Sequence, residues 1–227
     1  IGCDVGDLYH DGLFDLLVAD MAGTTHYREK IAMGSMDAVA WFLDTAEPRQ
    51  FMRNVLYVNS GTERFYEAAH LAGLAKSDWT WSVKIADFDN DGREDVFFTN
   101  GFTRDYLNSD FNNRLKASGE GRQSLAWYDA PRLDEQNLAF RNQGGLQFRD
   151  VSKDWGLDLV GISFGAAVGD LDNDGDLDIV VNNFEAQPSI YRNSSARGNS
   201  CLIQLQGRQA QTTVLGAKIE ITTANGK

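Results

Sequence analysis

The fold of this chain is decided by the stretch Asp87-Phe88-Asp89-Asn90-Asp91-Gly92, which returns 83 residues later as Asp170-Leu171-Asp172-Asn173-Asp174-Gly175. The same offset holds well beyond the acidic stretch. From residue 54 to residue 100, thirteen of 47 positions are identical to the position 83 residues later, without a gap. Self-similarity at a fixed spacing indicates repeated structural units, so the 227-residue chain is built from repeats.

A third and weaker copy of the acidic stretch lies near the start of the chain. Asp7, Asp11, Gly12 and Asp15 each stand 80 residues before their counterparts in the stretch quoted above. Tyr9 takes the position of the second Asp in this copy, which removes one carboxylate. We call residues 7–15, 87–95 and 170–178 the first, second and third acidic loops.

Short apolar runs rich in Val, Ile and Phe lead into and out of each acidic loop, and Gly, Asn and Asp bound them, as is typical of β-strands. Each unit has about four such runs, and four short strands in succession make one propeller blade. A fragment of a further copy, Tyr191-Arg192-Asn193, echoes Phe140-Arg141-Asn142. The sequence therefore predicts an all-β chain with about three propeller-type blades, each with an acidic loop between two of its strands.

Two insertions interrupt the first two units. A blade needs about 40–50 residues, and the surplus falls at about 21–53 and 103–135, after the first and second acidic loops. Residues 33–44 and 108–117 are each predicted to hold a short helix. Insertions of this kind usually collect on one face of a repeat protein, which is often the binding face.

The acidic loops have the residue types and the spacing of a cation site. Carboxylates at alternate positions of a tight loop converge on one point, and the Gly supplies a turn with positive φ. With a backbone carbonyl and water they provide six or seven oxygen ligands, which suits Ca²⁺ better than Mg²⁺. The two complete loops contain no His or Cys, which disfavours zinc and copper. The predicted ligands, with backbone carbonyls from Arg93 and Asp176, are Asp7, Asp11, Asp15, Asp87, Asp89, Asp91, Arg93, Asp95, Asp170, Asp172, Asp174, Asp176 and Asp178.

We expect a Ca²⁺ ion in each of the two complete loops and a weaker third site in the first loop. The alternative is a set of solvated Asp-rich turns, but four like charges within nine residues repel one another unless a counter-charge is present. The loops are not EF-hands, because their twelfth residues are Phe98 and Val181 instead of Glu and lie in predicted strands.

Composition narrows the class of partner. The formal net charge is -12 and the isoelectric point is about 4.6. A nucleic acid or an anionic membrane needs a basic surface, so neither is an expected partner. No apolar run in the sequence approaches the ~18 residues of a membrane span, so no span is expected in this chain.

Several other residues have both a functional and a structural interpretation. Gly161-Ile162-Ser163-Phe164-Gly165 matches the G-x-S-x-G pattern of hydrolases, but that elbow needs a helix after the serine, and a strand is predicted here. Asn193-Ser194-Ser195 is a glycosylation sequon at a repeat position, which favours a structural role. The three histidines are scattered, with no Cys or acid at ligand spacing; they are His10, His26 and His70.

The aromatic and cysteine residues leave further alternatives open. Tryptophans at blade positions are expected to pack in the core, whereas Trp41 and Trp127, inside the insertions, are the better candidates for a sugar-stacking role. Cys3 and Cys201 lie near opposite ends of the chain. They are either two free thiols or a single disulfide that joins the ends.

These repeats resemble the FG-GAP/VCBS repeat, a calcium-loop blade that is also seen in integrin α-subunit propellers. Phe164-Gly165 matches the pair that names the repeat, and Trp81-Ser82 replaces that pair in the preceding copy. The chain is also similar to bacterial surface proteins that combine VCBS repeats with an ASPIC/UnbV domain. The stretches that carry this second likeness include His26-Tyr27-Arg28, Met33-Gly34-Ser35-Met36, Thr99-Asn100-Gly101 and Arg104-Asp105.

The resemblance implies blades over residues 1–195 and a truncated ASPIC/UnbV-like β segment over residues 196–227. Within that segment Val214-Leu215-Gly216-Ala217 departs from the usual Gly-x-Gly-Ala. Proteins of this group are typically exported, and they are presumed to bind or adhere. The resemblance therefore implies a calcium-binding, non-catalytic module of an extracellular or cell-surface protein, with a protein or glycan ligand.

Two other functions stay open at this point. Three blades cannot close a propeller of four to eight blades, so either the chain is a fragment or its open edges pair with another copy or another chain. In the second case the chain is a structural protomer of a fibre or assembly. The second alternative is a propeller-type enzyme acting on polysaccharides, such as a lyase. That activity would need His, Lys or Arg side chains clustered on one face.

Overall fold

The computed structural model describes residues 2–32, 45, 47, 51–105, 107–118, 128–195, 203–207, 217 and 219–221. This part of the chain is mostly β, with three short helices. The strands are β1 (Cys3–Gly6), β2 (Asp15–Val18), β3 (Met21–Ala22), β4 (Val55–Asn59), β5 (Phe65–Glu67), β6 (Asp78–Ala86), β7 (Asp95–Asn100), β8 (Glu135–Gln136), β9 (Leu138–Asn142), β10 (Phe148–Asp150), β11 (Val160–Gly161), β12 (Ser163–Gly169), β13 (Asp178–Asn183) and β14 (Ser189–Tyr191). The helices are α1 (His26–Ala32), α2 (Ala69–Ala72) and α3 (Ser109–Ala117).

Three antiparallel sheets correspond to the three sequence units. The first blade has the strand order β1-β2-β4-β5, and the second has β6-β7-β9-β10 with β3 added beside β6. Among the described residues, the third blade contains the strands β12-β13-β14. Each acidic loop joins the first strand of a blade to the second, so the three loops lie at the same end of the three sheets. The prediction of about three propeller-type blades is therefore confirmed.

The core lies between the blades because each strand alternates its side chains between two neighbouring sheets. In β7, Val96 and Phe98 pack in the cluster shared with the first blade, whereas Phe97 packs in the cluster shared with the third. Leu17 of β2 and Val181 of β13 face the second blade from either side. The strand β7 is buried along its whole length, and its polar residues Asp95, Thr99 and Asn100 are all hydrogen-bonded.

The insertions follow the second strands of the first two blades and so emerge at the end opposite to the acidic loops. The first contains α1 and the second contains α3, where Asn108 caps the helix by accepting hydrogen bonds from the backbone N–H groups of Asp110 and Phe111. The two helices meet where the Ser109 hydroxyl donates to the Ile31 carbonyl at 2.9 Å.

The helix predicted over 108–117 is confirmed, whereas the one predicted over 33–44 lies outside the described residues. Sequence reasoning missed α1 and α2, which have seven and four residues and too few turns to show a periodic pattern. Of the predicted C-terminal β segment, only 203–207, 217 and 219–221 are described, and none of these residues is in a strand.

A buried polar network repeats at the insertion end of the blades and accounts for the G-x-S-x-G match. The Ser163 hydroxyl donates to the Asn183 side-chain oxygen at 2.9 Å and accepts from the Asn137 amide at 3.0 Å. Thr80, its counterpart in the second blade, donates to Asn100 at 2.7 Å. Ser163 is buried and opens strand β12, so it has neither the exposure nor the following helix of a hydrolase nucleophile.

Candidate metal centre

The second acidic loop is a tight turn that its own side chains hold. The Asp87 carboxylate accepts hydrogen bonds from the backbone N–H groups of Asp91 and Gly92 at 3.1 and 2.8 Å. Asn90 and Gly92 have φ of 54° and 87°, in the left-handed region that Asn and Gly tolerate best. Asp95, at the start of β7, is fully buried and accepts from the N–H groups of Phe88 and Asn142.

Three carboxylates of this loop converge. Asp87, Asp89 and Asp95 each offer an oxygen that lies within 4.8 Å of the other two. Asp89 is only 6% exposed, and its Oδ1 is buried without a hydrogen-bond partner. An ionised oxygen without a partner in a buried place is costly, so this atom marks a position for a positively charged ligand.

Burial raises the pKa of two of these acids. The pKa of Asp95 rises to about 7 because it is removed from water, against the lowering effect of its two backbone hydrogen bonds. Burial also raises the pKa of Asp89, and the nearby negative charge of Asp91 adds to the effect. In both cases burial is the main cause, because removal from water disfavours the ionised form, and the neighbouring carboxylates add to it.

An arginine supplies part of the missing charge. The Arg141 Nε lies 2.6 Å from Asp89 Oδ2, and its Nη2 lies 2.8 Å from Asp91 Oδ2. Arg141 belongs to β9, the third strand of the same blade, and is not part of the loop itself. It pairs with one oxygen of Asp89 and leaves Oδ1 free.

The third loop also brings three acids together, in a more exposed setting, but its third member is Asp174, the counterpart of Asp91, instead of Asp178, the counterpart of Asp95. Asp170, Asp172 and Asp174 bring one oxygen each within 4.8 Å of the others. Arg192 lies 2.6 Å from Asp172 and 3.3 Å from Asp174, as Arg141 does with the corresponding acids. The pKa of Asp174 is lowered, first by the hydrogen bond from the backbone N–H of Asp176 and then by Arg192.

The first loop has the same backbone without the same side chains. His10 and Gly12 have φ of 62° and 86°, and Asp7 accepts from the N–H groups of Asp11 and Gly12. Asp15 is buried and accepts from the N–H groups of Tyr9 and Asn59, as Asp95 does in the second loop. Among the described residues the acids of this loop do not form a converging group of three.

The predicted ligands therefore divide into two kinds. Asp87, Asp89 and Asp95, and separately Asp170, Asp172 and Asp174, converge as cation ligands do. Asp91 is instead held by Arg141 and by Arg93, whose Nη1 lies 3.1 Å away. Asp178 spends its two oxygens on the N–H groups of Leu171 and Asn193. Asp176 accepts from Asn90 of the neighbouring loop.

The donor set fits a hard divalent cation. Both converging groups consist of carboxylate oxygens alone, as Ca²⁺ and Mg²⁺ prefer, and contain no nitrogen or sulfur ligand. The unpartnered Oδ1 of Asp89 is an independent sign that the second loop suits a cation. Ca²⁺ bound there would be held by Asp87, Asp89 and Asp95. It would neutralise the negative charge at Asp89 Oδ1, the oxygen with which Arg141 does not pair.

Two asparagines that the sequence reasoning did not assign connect the loops. The Asn142 amide donates to the carbonyls of Leu8 and Glu94 at 2.9 and 3.0 Å, which joins the first loop to the second. The Asn193 amide donates to Phe88 and Leu177 and joins the second loop to the third. The nitrogen that a glycan would need is thus engaged in the fold. The echo of Phe140-Arg141-Asn142 in Tyr191-Arg192-Asn193 was the available signal for these residues and for both arginines.

The remaining sequence candidates are not brought to this site. His10 is exposed within the first loop, and Cys3 is exposed at the start of β1. His26 and His70 lie on α1 and α2. Trp41, Trp127 and Cys201 lie outside the described residues.

Comparison with known proteins agrees with the division of the chain into repeats. None of the helices in the described part of the chain has the length and apolarity that a membrane span requires. No curated protein matches the chain significantly. A family model described as FG-GAP-like repeat matches residues 7–98 and 119–181, which together are more than half of the chain. The chain therefore belongs to the FG-GAP-like repeat family.

Proposed function

We propose that this chain is a calcium-stabilised, non-catalytic propeller module of an exported or cell-surface protein, and that it serves adhesion or ligand binding. The observation that carries the proposal is the unpartnered Oδ1 of Asp89 within a group of three converging carboxylates. Membership of the FG-GAP-like repeat family supports it. The ligand is a protein or a glycan, and the C-terminal residues 196–227 open an ASPIC/UnbV-like segment.

Calcium would act here as a counter-ion that joins two strands of one blade. Asp87 directly follows β6 and Asp95 begins β7, so a cation between them would hold the turn closed. A ligand that binds only the folded state stabilises it by RT ln(1 + [L]/Kd), which is ~2.7 kcal/mol per site at 100 Kd. Extracellular calcium modules bind with Kd of ~10⁻⁴–10⁻³ M, which suits the calcium concentration outside cells.

Calorimetric titration and thermal unfolding with Ca²⁺ or chelator test this proposal. We expect Ca²⁺ to raise the melting temperature of the wild-type chain and the Asp89→Asn variant to lose most of that rise. Asp129→Asn is the matched control, because Asp129 is exposed and lies outside the loops. Equal calcium shifts in wild type and Asp89→Asn would contradict the proposal, as would the absence of any shift in wild type.

The non-catalytic part of the proposal has its own support and test. Ser163, the residue of the hydrolase-like motif, is buried and hydrogen-bonded on both sides. We expect no cleavage when the calcium-loaded chain is incubated with acidic and neutral polysaccharides and the products are analysed by size. Reproducible shortening of one polysaccharide class, absent from a heat-inactivated sample, would contradict this expectation.

A structural role in a fibre or assembly has one observation in its favour. Leu8 and Phe88 occupy equivalent positions in the first two loops and are 0% and 5% exposed, because the next blade covers each of them. Leu171 is the equivalent residue in the third loop and is 56% exposed. Sedimentation velocity at increasing concentration distinguishes this role, since head-to-tail assembly through that face predicts a growing sedimentation coefficient and a ligand-binding monomer predicts a constant one.

A further inference from the structure

A cavity of about 280 Å³ lies between the second and third blades at the end that carries the acidic loops. It is many times larger than the ~30 Å³ that one water molecule takes up in the liquid. Its lining is amphipathic, and the apolar part consists of Phe88, Trp155, Leu157, Leu177, Ile179 and Tyr191. Folded interiors are close-packed, so an apolar space of this size at the junction of two repeats calls for an occupant.

The repeat itself shows what such an occupant looks like. Five of the six apolar lining residues have repeat equivalents between the first and second blades, and these equivalents are Leu8, Ala72, Leu74, Val96 and Phe140. All five belong to the first core cluster or pack against it. That cluster also contains Leu146, with Phe148 packed against it. These two side chains come from the turn before β10 and from β10 itself, the outermost strand of the second blade.

The third blade has no strand equivalent to β10 among the described residues. In the second blade, β10 pairs with β9 through the partners Phe148–Asn142, Arg149–Arg141 and Asp150–Phe140. The residues equivalent to that edge of β9 are Tyr191, Arg192 and Asn193, and all three line the cavity. The strand β14 pairs with β13 on one side, and no described strand pairs with its other side. The cavity and an open strand edge therefore lie side by side.

The described part of the C-terminal segment does not fill this place. Two pairs of large apolar residues in that described part have the same two-residue spacing as Leu146 and Phe148. They are Ile203 and Leu205, each 41% exposed, and Ile219 and Ile221, which are 49% and 56% exposed. Residues 203–207 are not in a strand. None of the described residues of that segment therefore supplies the apolar side chains that the cavity would accommodate.

We propose that the cavity and the outer edge of β14 form an acceptor groove for an extended segment of another polypeptide. The segment adds to β14 as an antiparallel strand and places two apolar side chains, two residues apart, into the cavity. In this mode of recognition, main-chain hydrogen bonds supply affinity and the pockets for alternate side chains supply specificity. The cavity lining includes Asp89, a proposed calcium ligand, so the peptide titration is carried out both in Ca²⁺ and in chelator.

The chain provides its own model ligand for the test. A fluorescently labelled peptide with the sequence of residues 143–152 contains Leu146 and Phe148 in their natural spacing. We expect it to bind the full chain saturably, with a fluorescence anisotropy titration giving a Kd well below about 1 mM. The same peptide with Leu146→Ser and Phe148→Ser is the control and should bind at least tenfold more weakly.

Variants of the chain locate the binding at the groove. Ser194 lines the cavity and is exposed, so Ser194→Trp narrows the entrance without removing a packing contact, and Ser194→Ala is its matched control. We expect Ser194→Trp to weaken peptide binding at least tenfold while its melting temperature stays that of Ser194→Ala. No saturable binding below about 1 mM, equal affinity for the two peptides, or equal binding by the two variants would each overturn the proposal.

Discussion

The first and second acidic loops share a backbone and differ in their charge. His10 and Asn90 have nearly equal positive φ, and Asp15 and Asp95 are buried in the same manner on the same two kinds of backbone N–H. The difference is at the second carboxylate position, where Tyr9 stands in the first loop. The turn is therefore held by hydrogen bonds and does not depend on a complete set of carboxylates.

The comparison also explains why Arg141 and Arg192 are present in the second and third blades and have no equivalent in the first. Loops with the second Asp receive an arginine from the third strand of their blade, as the Asp89–Arg141 and Asp172–Arg192 pairs show. Where Tyr9 removes that acid, the residue equivalent to Arg141 is Val58. The arginine thus accompanies the extra negative charge, and the loop without the charge does without the arginine.

The largest loss of stability should follow replacement of Asp95 or Asp15, the buried acid that the two loops have in common. Asp95→Ala leaves the N–H groups of Phe88 and Asn142 unsatisfied in a buried place, and each such group costs about 1–3 kcal/mol. We expect chemical denaturation in chelator to show a loss of several kcal/mol. Asp15→Ala should cost a similar amount in the first loop. A small loss for either variant in chelator would show that the turn is held by something else.

Restoring the missing acid should convert the first loop into a cation site. Tyr9 is half-exposed, so Tyr9→Asp fits without disturbing the core. In chelator the variant should be less stable than wild type, because a further negative charge joins the loop. In Ca²⁺ it should recover by up to ~2.7 kcal/mol at 100 Kd, and calorimetry should count one more ion. Tyr9→Asn, which adds no charge, is the control, and an unchanged ion count in Tyr9→Asp would break the comparison.

Removing the arginine should have a smaller effect that depends on calcium. Arg141→Gln deletes the partner of two carboxylates and should lower the unfolding free energy in chelator by about 1 kcal/mol. Because the positive charge also repels a cation, the variant should bind Ca²⁺ more tightly by titration calorimetry. Weaker Ca²⁺ binding by the variant would mean that Arg141 orients the ligands and does not compete with the ion.

A pH-dependent effect is expected at the opposite end of the second blade, where Glu135 is buried beside Asp78, Asp105 and Arg28. Burial, followed by the charge of Asp78, raises its pKa from 4.5 to about 7. The folded state holds this proton more tightly than the unfolded state, so its stabilising effect is complete below pH 4.5 and is lost as the pH rises through about 7. Glu135→Gln should flatten that part of the pH profile equally with and without calcium.

The repeat made the blades and the acidic loops predictable from sequence, because each unit shows strand patterns, a turn-forming Gly and alternate carboxylates within a few residues. It was harder to predict which acids of a loop converge and which are bound by other groups. Asp91 and Asp178 have the right spacing for ligands but are engaged by Arg141 and by backbone N–H groups. Those partners come from strands some 50 or 15 residues away, so local spacing could not reveal them.

The asparagine bridges give the array a direction. Asn142 reaches back to Leu8 of the preceding blade, and Asn193 reaches back to Phe88. Each blade is therefore locked by the one that follows it, and the third blade, with Leu171 exposed, has no described successor. Pulled or heated, such an array should unzip from the third blade toward the first. Backbone amides of β12 to β14 should exchange with solvent before those of β6 and β7, in the order in which the locks open.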